Sequence, residues 1–187
     1  MPSQTPTFGR YAEIPYDQMT PEQKDAYDTI MKARGRLPGP VKIWIDNPKL
    51  AKLISAFGTH FQPGGYSLSE REREIAVCVI TSHWHSAYPT AAHERRAKEV
   101  GLPAAKVEAM IAGMPAAFDN EREQVVYEVA TVLTNKRWVP RGLYERAVKA
   151  LGHVGVTDVI TLMGHYSSVA MTLAFYDVPD GATGMPR

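Results

Sequence analysis

Ser69-Glu-Arg-Glu-Arg-Glu74-Ile-Ala-Val-Cys-Val-Ile80-Thr-Ser-His-Trp84 is the stretch that decides the fold of this chain. Ser69 with Glu72 forms a capping box, in which hydroxyl and carboxylate satisfy backbone N–H groups left free at a helix start. Charged residues then give way to an apolar run at 75–80. That run is apolar all round, so the spacing predicts a central, buried helix over 69–84. Thr90-Ala-Ala-His93-Glu-Arg-Arg-Ala-Lys-Glu-Val100 predicts a second helix, and the short tract between the two is the turn of a helical hairpin. Antiparallel packing would bring Glu74 and His93 to one cleft, although they stand nineteen positions apart. A carboxylate beside an imidazole holds a chosen tautomer and can move a proton near neutral pH.

Working outward, helix starts recur. Thr20-Pro21-Glu22-Gln23 combines a capping threonine, a proline in the first turn and a glutamine that reaches back. The helix it opens should run to about residue 33, before Gly35-Arg-Leu-Pro38-Gly39-Pro40 breaks it. Asn47-Pro48 opens another, with Leu50, Leu53, Ile54 and Phe57 on one face, ending before Pro63-Gly64-Gly65. Further helices are expected over 103–113, from Asn120 through Val125, Val126, Val129, Val132 and Leu133, over 140–151 up to Gly152, and over 156–175. No segment reads as a strand. The expected fold is all-α and single-domain, with an extended arm over 1–19 held by Tyr11, Ile14 and Tyr16, a helical domain over 20–176 and a tail over 177–187. Glu70-Arg-Glu-Arg-Glu and Glu121-Arg-Glu-Gln look alike, which shared helix-start chemistry explains.

The chain has 187 residues, 44% hydrophobic and 22% charged, enough for one domain with a real core. With 21 basic against 20 acidic residues the net charge is +1, which offers no electrostatic footprint for nucleic acid or a membrane surface. The single cysteine, Cys78, excludes an internal disulfide, and no signal pattern opens the chain. A cytoplasmic location is expected. Apolar residues of 156–175 fall on more than one face, and a subunit interface is the natural place for the second face.

Several tracts together resemble the carboxymuconolactone decarboxylase and alkyl hydroperoxidase D-like superfamily. They are Leu68-Ser-Glu-Arg-Glu-Arg-Glu-Ile-Ala-Val, the run from Trp84 to His93-Glu94-Arg95, and Ala97-Lys-Glu-Val-Gly101-Leu102. Gly152-His-Val-Gly-Val-Thr-Asp158-Val-Ile and Leu162-Met-Gly164-His165-Tyr166 continue the likeness. Leu37-Pro-Gly39-Pro40 with Asn47-Pro48 is similar to the N-terminal part of longer members. The resemblance implies an alkyl hydroperoxidase D-like helical bundle, a homo-oligomer that is trimer-based or dimeric, and a proton relay at Glu74 and His93. In the peroxidase branch two cysteines precede the matching histidine, at the positions held here by Ser86 and Pro89. Without them, dithiol peroxide chemistry is not expected. The Glu-Trp pair of many longer members is also missing, at Pro89 and Thr90.

The expected function is a cofactor-free, decarboxylase-like lyase acting on a small carboxylated or carbonyl-bearing acid, or the related isomerase or lactone chemistry. His93 is the expected proton donor, oriented by Glu74, with His85 as a third catalytic candidate. His83, Ser86, Tyr88 and His165 are the expected substrate-binding residues. A metal-dependent lyase or oxygenase built on His83, His85 and His93 is the alternative, although His83 and His85 would point about 200° apart on a helix. A non-catalytic oligomeric binding protein on the same scaffold is the third.

Overall fold

The computed structural model describes residues 5–135 and 138–185; residues 1–4 of the expected arm and 186–187 of the expected tail lie outside them. Among the described residues the secondary structure is helical, with one isolated bridge between Phe8 and Tyr11. The helices are α1 (Pro21–Arg34), α2 (Gly39–Trp44), α3 (Pro48–His60), α4 (Glu70–His83), α5 (Ala87–Glu99), α6 (Ala104–Ile111), α7 (Glu121–Asn135) and α8 (Arg141–Phe175).

Local chemistry sets most of these bounds. Thr20 and Ser69 each form both halves of a capping box, and the Asn47 side chain accepts from the Leu50 N–H. The two helices expected over 140–151 and 156–175 are segments of α8. They meet at Gly152, whose φ of 66° and ψ of 173° break the helical geometry. The six-residue α2 is new. Its Gly39-Pro40 start reads as a breaker, yet proline is tolerated in a first helical turn.

α4 is the axis of the molecule and packs against α5, α6, α7 and α8. Every residue from Glu74 to Thr81 is buried. Ile75, Val77 and Ile80 are among them, each contributing about 2 kcal/mol of apolar burial. α1, α2 and α3 pack together as a second layer, tied to α8 where the Trp44 indole N–H donates to Thr172. Phe8 and Tyr11 anchor the N-terminal arm. Tyr16, as expected, helps: it opens a short 3-10 turn at Tyr16–Gln18 and, though exposed, ties the arm to α1, its hydroxyl donating to Asp28 at 2.9 Å and its ring standing edge-on to Tyr27 at 5.1 Å.

The starts of α4 and α7 exchange reciprocal ion pairs. Arg71 grips the Glu123 carboxylate at 2.6 and 3.0 Å, and Arg122 grips Glu72 at 2.8 and 3.2 Å. Both glutamates are buried. The likeness of the two Glu-Arg-Glu tracts thus has a spatial counterpart beyond helix-start chemistry. No helix among the described residues is long and apolar enough to cross a membrane.

Candidate active site

Glu74 lies in the second turn of α4 and His93 in the middle of α5. The hairpin brings His93 Nδ1 to 2.6 Å from Glu74 Oε2. An ionised carboxylate only accepts, so Nδ1 carries the proton and Nε2 is left to the cleft. The other Glu74 oxygen accepts from Arg73, whose Nε donates to the Phe61 carbonyl at 3.2 Å and whose second terminal nitrogen donates to the Tyr166 hydroxyl. Glu74 is only 1% exposed. Burial works against its charge, but the His93 hydrogen bond and the His93 and Arg73 charges more than offset it, holding the carboxyl below its ordinary value.

The cleft has a volume of about 480 Å³. Glu74, His93, Phe61 and Tyr166 form its inner wall, and Arg34, Arg36, Arg73, Arg95 and Arg96 contribute to its lining. Three of these arginines face carboxylates: Arg73 pairs with Glu74, Arg95 with Asp180 and Arg96 with Glu70. Among the described residues Arg34 and Arg36 have no carboxylate partner, and Arg34 donates only to Thr59, at 3.3 Å. Burial depresses the Arg34 guanidinium, and the Arg36 and Arg73 charges act the same way. An anion entering the cleft would relieve that repulsion.

The turn residues are elsewhere. His83, Trp84 and His85 sit at the far end of α4, about 14 Å along the helix axis from Glu74. His83 and His85 are exposed and line a separate cavity of about 220 Å³ with residues of α6 and α7. His85, with a positive φ of 48°, belongs to the tight α4–α5 turn and not to the Glu74–His93 cleft. Tyr88 packs edge-on against Phe8, with ring centroids 5.4 Å apart, and so holds the N-terminal arm. Ser86 is buried at the start of α5, its hydroxyl without a hydrogen-bond partner among the described residues. The expectation that His85, His83, Ser86 and Tyr88 share the cleft therefore fails. Glu74 and His93 meet about two helical turns away from the hairpin's turn, at a different level from its side chains.

This separation also splits the imidazoles that a metal site would need. Among the described residues no three His, Cys, Asp or Glu side chains are placed to hold a metal. Cys78 is buried inside α4, and burial pushes its thiol up.

His165 stands behind the inner wall, edge-on to Tyr166 at 5.4 Å and to Phe57 at 5.6 Å. Gly58 permits the approach, since a Cβ there would lie 2.9 Å from His165 Nε2. Burial depresses the imidazole from 6.5 to about 4, with the Arg34 and Arg73 charges adding to the effect. The unfolded chain therefore binds more protons than the folded one between these values, and stability falls as pH drops through that window. On lowering the pH from about 7 to about 4.5, His165→Phe should lose roughly 2 kcal/mol less stability than the wild type, read from urea unfolding. Equal losses would show that the folded protein protonates the ring.

Sequence reasoning missed Arg73, Tyr166 and Arg34. Tyr166 had a usable signal: a phenol inside the buried stripe of Val159, Leu162, Met163, Val169 and Leu173. A buried tyrosine hydroxyl needs a partner, and here Arg73 supplies it.

No protein-family model matches the sequence, and no curated protein matches it. Solved structures share its fold, among them the following three. A cysteine-to-alanine variant of the debrominase Bmp8 in complex with 2,3,4-tribromopyrrole superposes with a TM-score of 0.68 at 13% identity, covering 91% of each chain. The apo form of that enzyme gives 0.64 at 14% identity over 87% of each. An uncharacterized peroxidase-related protein from Silicibacter sp. TM1040 gives 0.70 at 17% identity, covering 100% of this chain and 95% of that one. At these identities the likeness establishes the fold: an all-α bundle of the kind expected from the sequence, shared with a debrominase and a peroxidase-related protein.

Proposed function

We propose that the chain is a cofactor-free acid–base enzyme acting on a small organic acid that carries a carbonyl or a second carboxylate. The carrying observation is the 2.6 Å contact between His93 and a buried, ionised Glu74, in a cleft where Arg34 and Arg36 lack carboxylate partners. Arg34 and Arg36 bind the substrate carboxylate. His93, held by Glu74, moves a proton to or from carbon beside the carbonyl. Decarboxylation and isomerisation both pass through an enolate and need the same parts. A debrominase on the same fold supports catalysis on such a scaffold. A purely structural role would not need Glu74 and His93 to meet in an open cleft.

The test is solvent exchange. Incubated in D2O with a panel of small keto acids and unsaturated lactone acids, the protein should incorporate deuterium at carbon or release CO2, by NMR. Activity that is independent of His93 would defeat the proposal.

We further propose that the working form is a homo-oligomer. Leu50, Leu53 and Phe57 form an exposed stripe on α3, and Leu50 shares a surface groove with Met171 and Phe175 of α8. Leu53 and Phe175 are 71% and 75% exposed. The five side chains expose roughly 500 Å² of apolar surface, about the apolar share of a standard subunit interface. A second copy is the fitting occupant. Light scattering at micromolar concentration should give at least a dimer; a monomer would refute this.

A further inference from the structure

We propose that Tyr166 is a further catalytic residue, its hydroxyl donating a hydrogen bond to the oxyanion of the reacting acid, with Arg73 as the residue that positions and polarises it. This rests on the acid–base function proposed above and names the part that function leaves open, the electron sink. When a carbon–carboxylate bond breaks, its electron pair passes to the neighbouring carbonyl oxygen, CO2 departs, and an enolate forms. The imidazolium of His93 then protonates the enolate carbon and becomes neutral, and water restores its proton. Glu74 and His93 serve the carbon. Something else must hold the oxygen.

Tyr166 is placed to do so. It lines the cleft on the wall that carries His93, and the two rings meet edge to face with centroids 4.9 Å apart at 87°. A carbonyl oxygen next to the carbon that His93 serves therefore comes within reach of the phenol. The hydroxyl accepts from Arg73, and among the described residues its own proton has no acceptor. A phenol that accepts from a cation becomes a stronger donor along its remaining O–H bond.

Arg73 is fixed for this task. Its Nε is tied to the Phe61 carbonyl and its terminal nitrogens go to Glu74 and Tyr166, so one guanidinium spans both halves of the site. It also lies over the Tyr166 ring, 5.4 Å from the centroid. Arg73 also lines the cleft, but its Nε and both terminal nitrogens already donate to Phe61, Glu74 and Tyr166, so it acts through Tyr166. The phenol itself stays protonated: burial raises it, and the Arg73 charge only partly opposes that. A donor, not a phenolate, is what an enolate oxygen requires.

The probe is 4-nitrophenol, whose phenolate is visible by absorbance and mimics an enolate oxygen without turnover. Wild-type protein should bind the phenolate in preference to the phenol, lowering the probe's apparent pKa. Tyr166→Phe, which keeps the ring packing, should weaken that preference at least about ten-fold. Arg73→Lys should weaken it by an intermediate factor. On a turned-over acid, Tyr166→Phe should lower kcat with little change in KM. Absence of binding at millimolar probe, or a preference unchanged by Tyr166→Phe, overturns the assignment. If the preference responds to Tyr166→Phe while turnover ignores His93→Ala, the acid–base function fails and the oxyanion site stands.

Discussion

His93→Ala should reduce turnover of the acid substrate by about 10²- to 10⁴-fold, with the helical circular dichroism spectrum unchanged. The ring lies on the cleft wall, where its removal opens solvent space and not a core void. Glu74 would keep Arg73 as its partner, so the folded state tolerates the loss. Glu74→Gln should be milder. An amide oxygen can still accept from His93 Nδ1 and hold the ring, but it cannot stabilise the imidazolium formed on proton transfer. The ordering separates chemistry from packing. If both variants keep wild-type rates on a confirmed substrate, the site is wrong.

Arg73→Met should produce the largest loss of stability, about 3–5 kcal/mol in urea unfolding at neutral pH. The variant keeps the aliphatic bulk but leaves a buried carboxylate with His93 alone, and frees the Phe61 carbonyl and the Tyr166 hydroxyl. The pH dependence follows from Glu74. Its carboxyl is held below the ordinary value, so its contribution is complete above the ordinary carboxylate pKa of about 4.3 and disappears as pH falls through the folded value. The gap between wild type and variant should therefore narrow in acid. A loss below about 1 kcal/mol at neutral pH would mean that water reaches Glu74.

Helix starts were readable because capping is local. Thr20, Asn47 and Ser69 act on N–H groups within three residues of themselves. The pairing of Glu74 with His93 was readable because a hairpin has one geometry. The same geometry defeats inference by proximity along the chain: His83 and His85, closer in sequence to His93 than Glu74 is, are carried away by the axis of α4. Arg73 lay hidden in an alternating charged run that resembles a solvated helix start, and its burial follows from packing against Phe61 and Tyr166. Arg34 reaches the cleft from a different layer, a placement that no local pattern encodes.

The reciprocal exchange between Arg71–Glu123 and Arg122–Glu72 bears on how this sequence can evolve. Each glutamate is buried and each arginine is the partner of a carboxylate on the other helix. Loss of either arginine alone strands a buried charge, a penalty large against the total stability of a domain this size. Single-step drift at these four positions is therefore closed. In homologues Arg71 and Glu123 should vary as one unit and Arg122 and Glu72 as another, leaving paired substitution patterns between tracts some fifty residues apart.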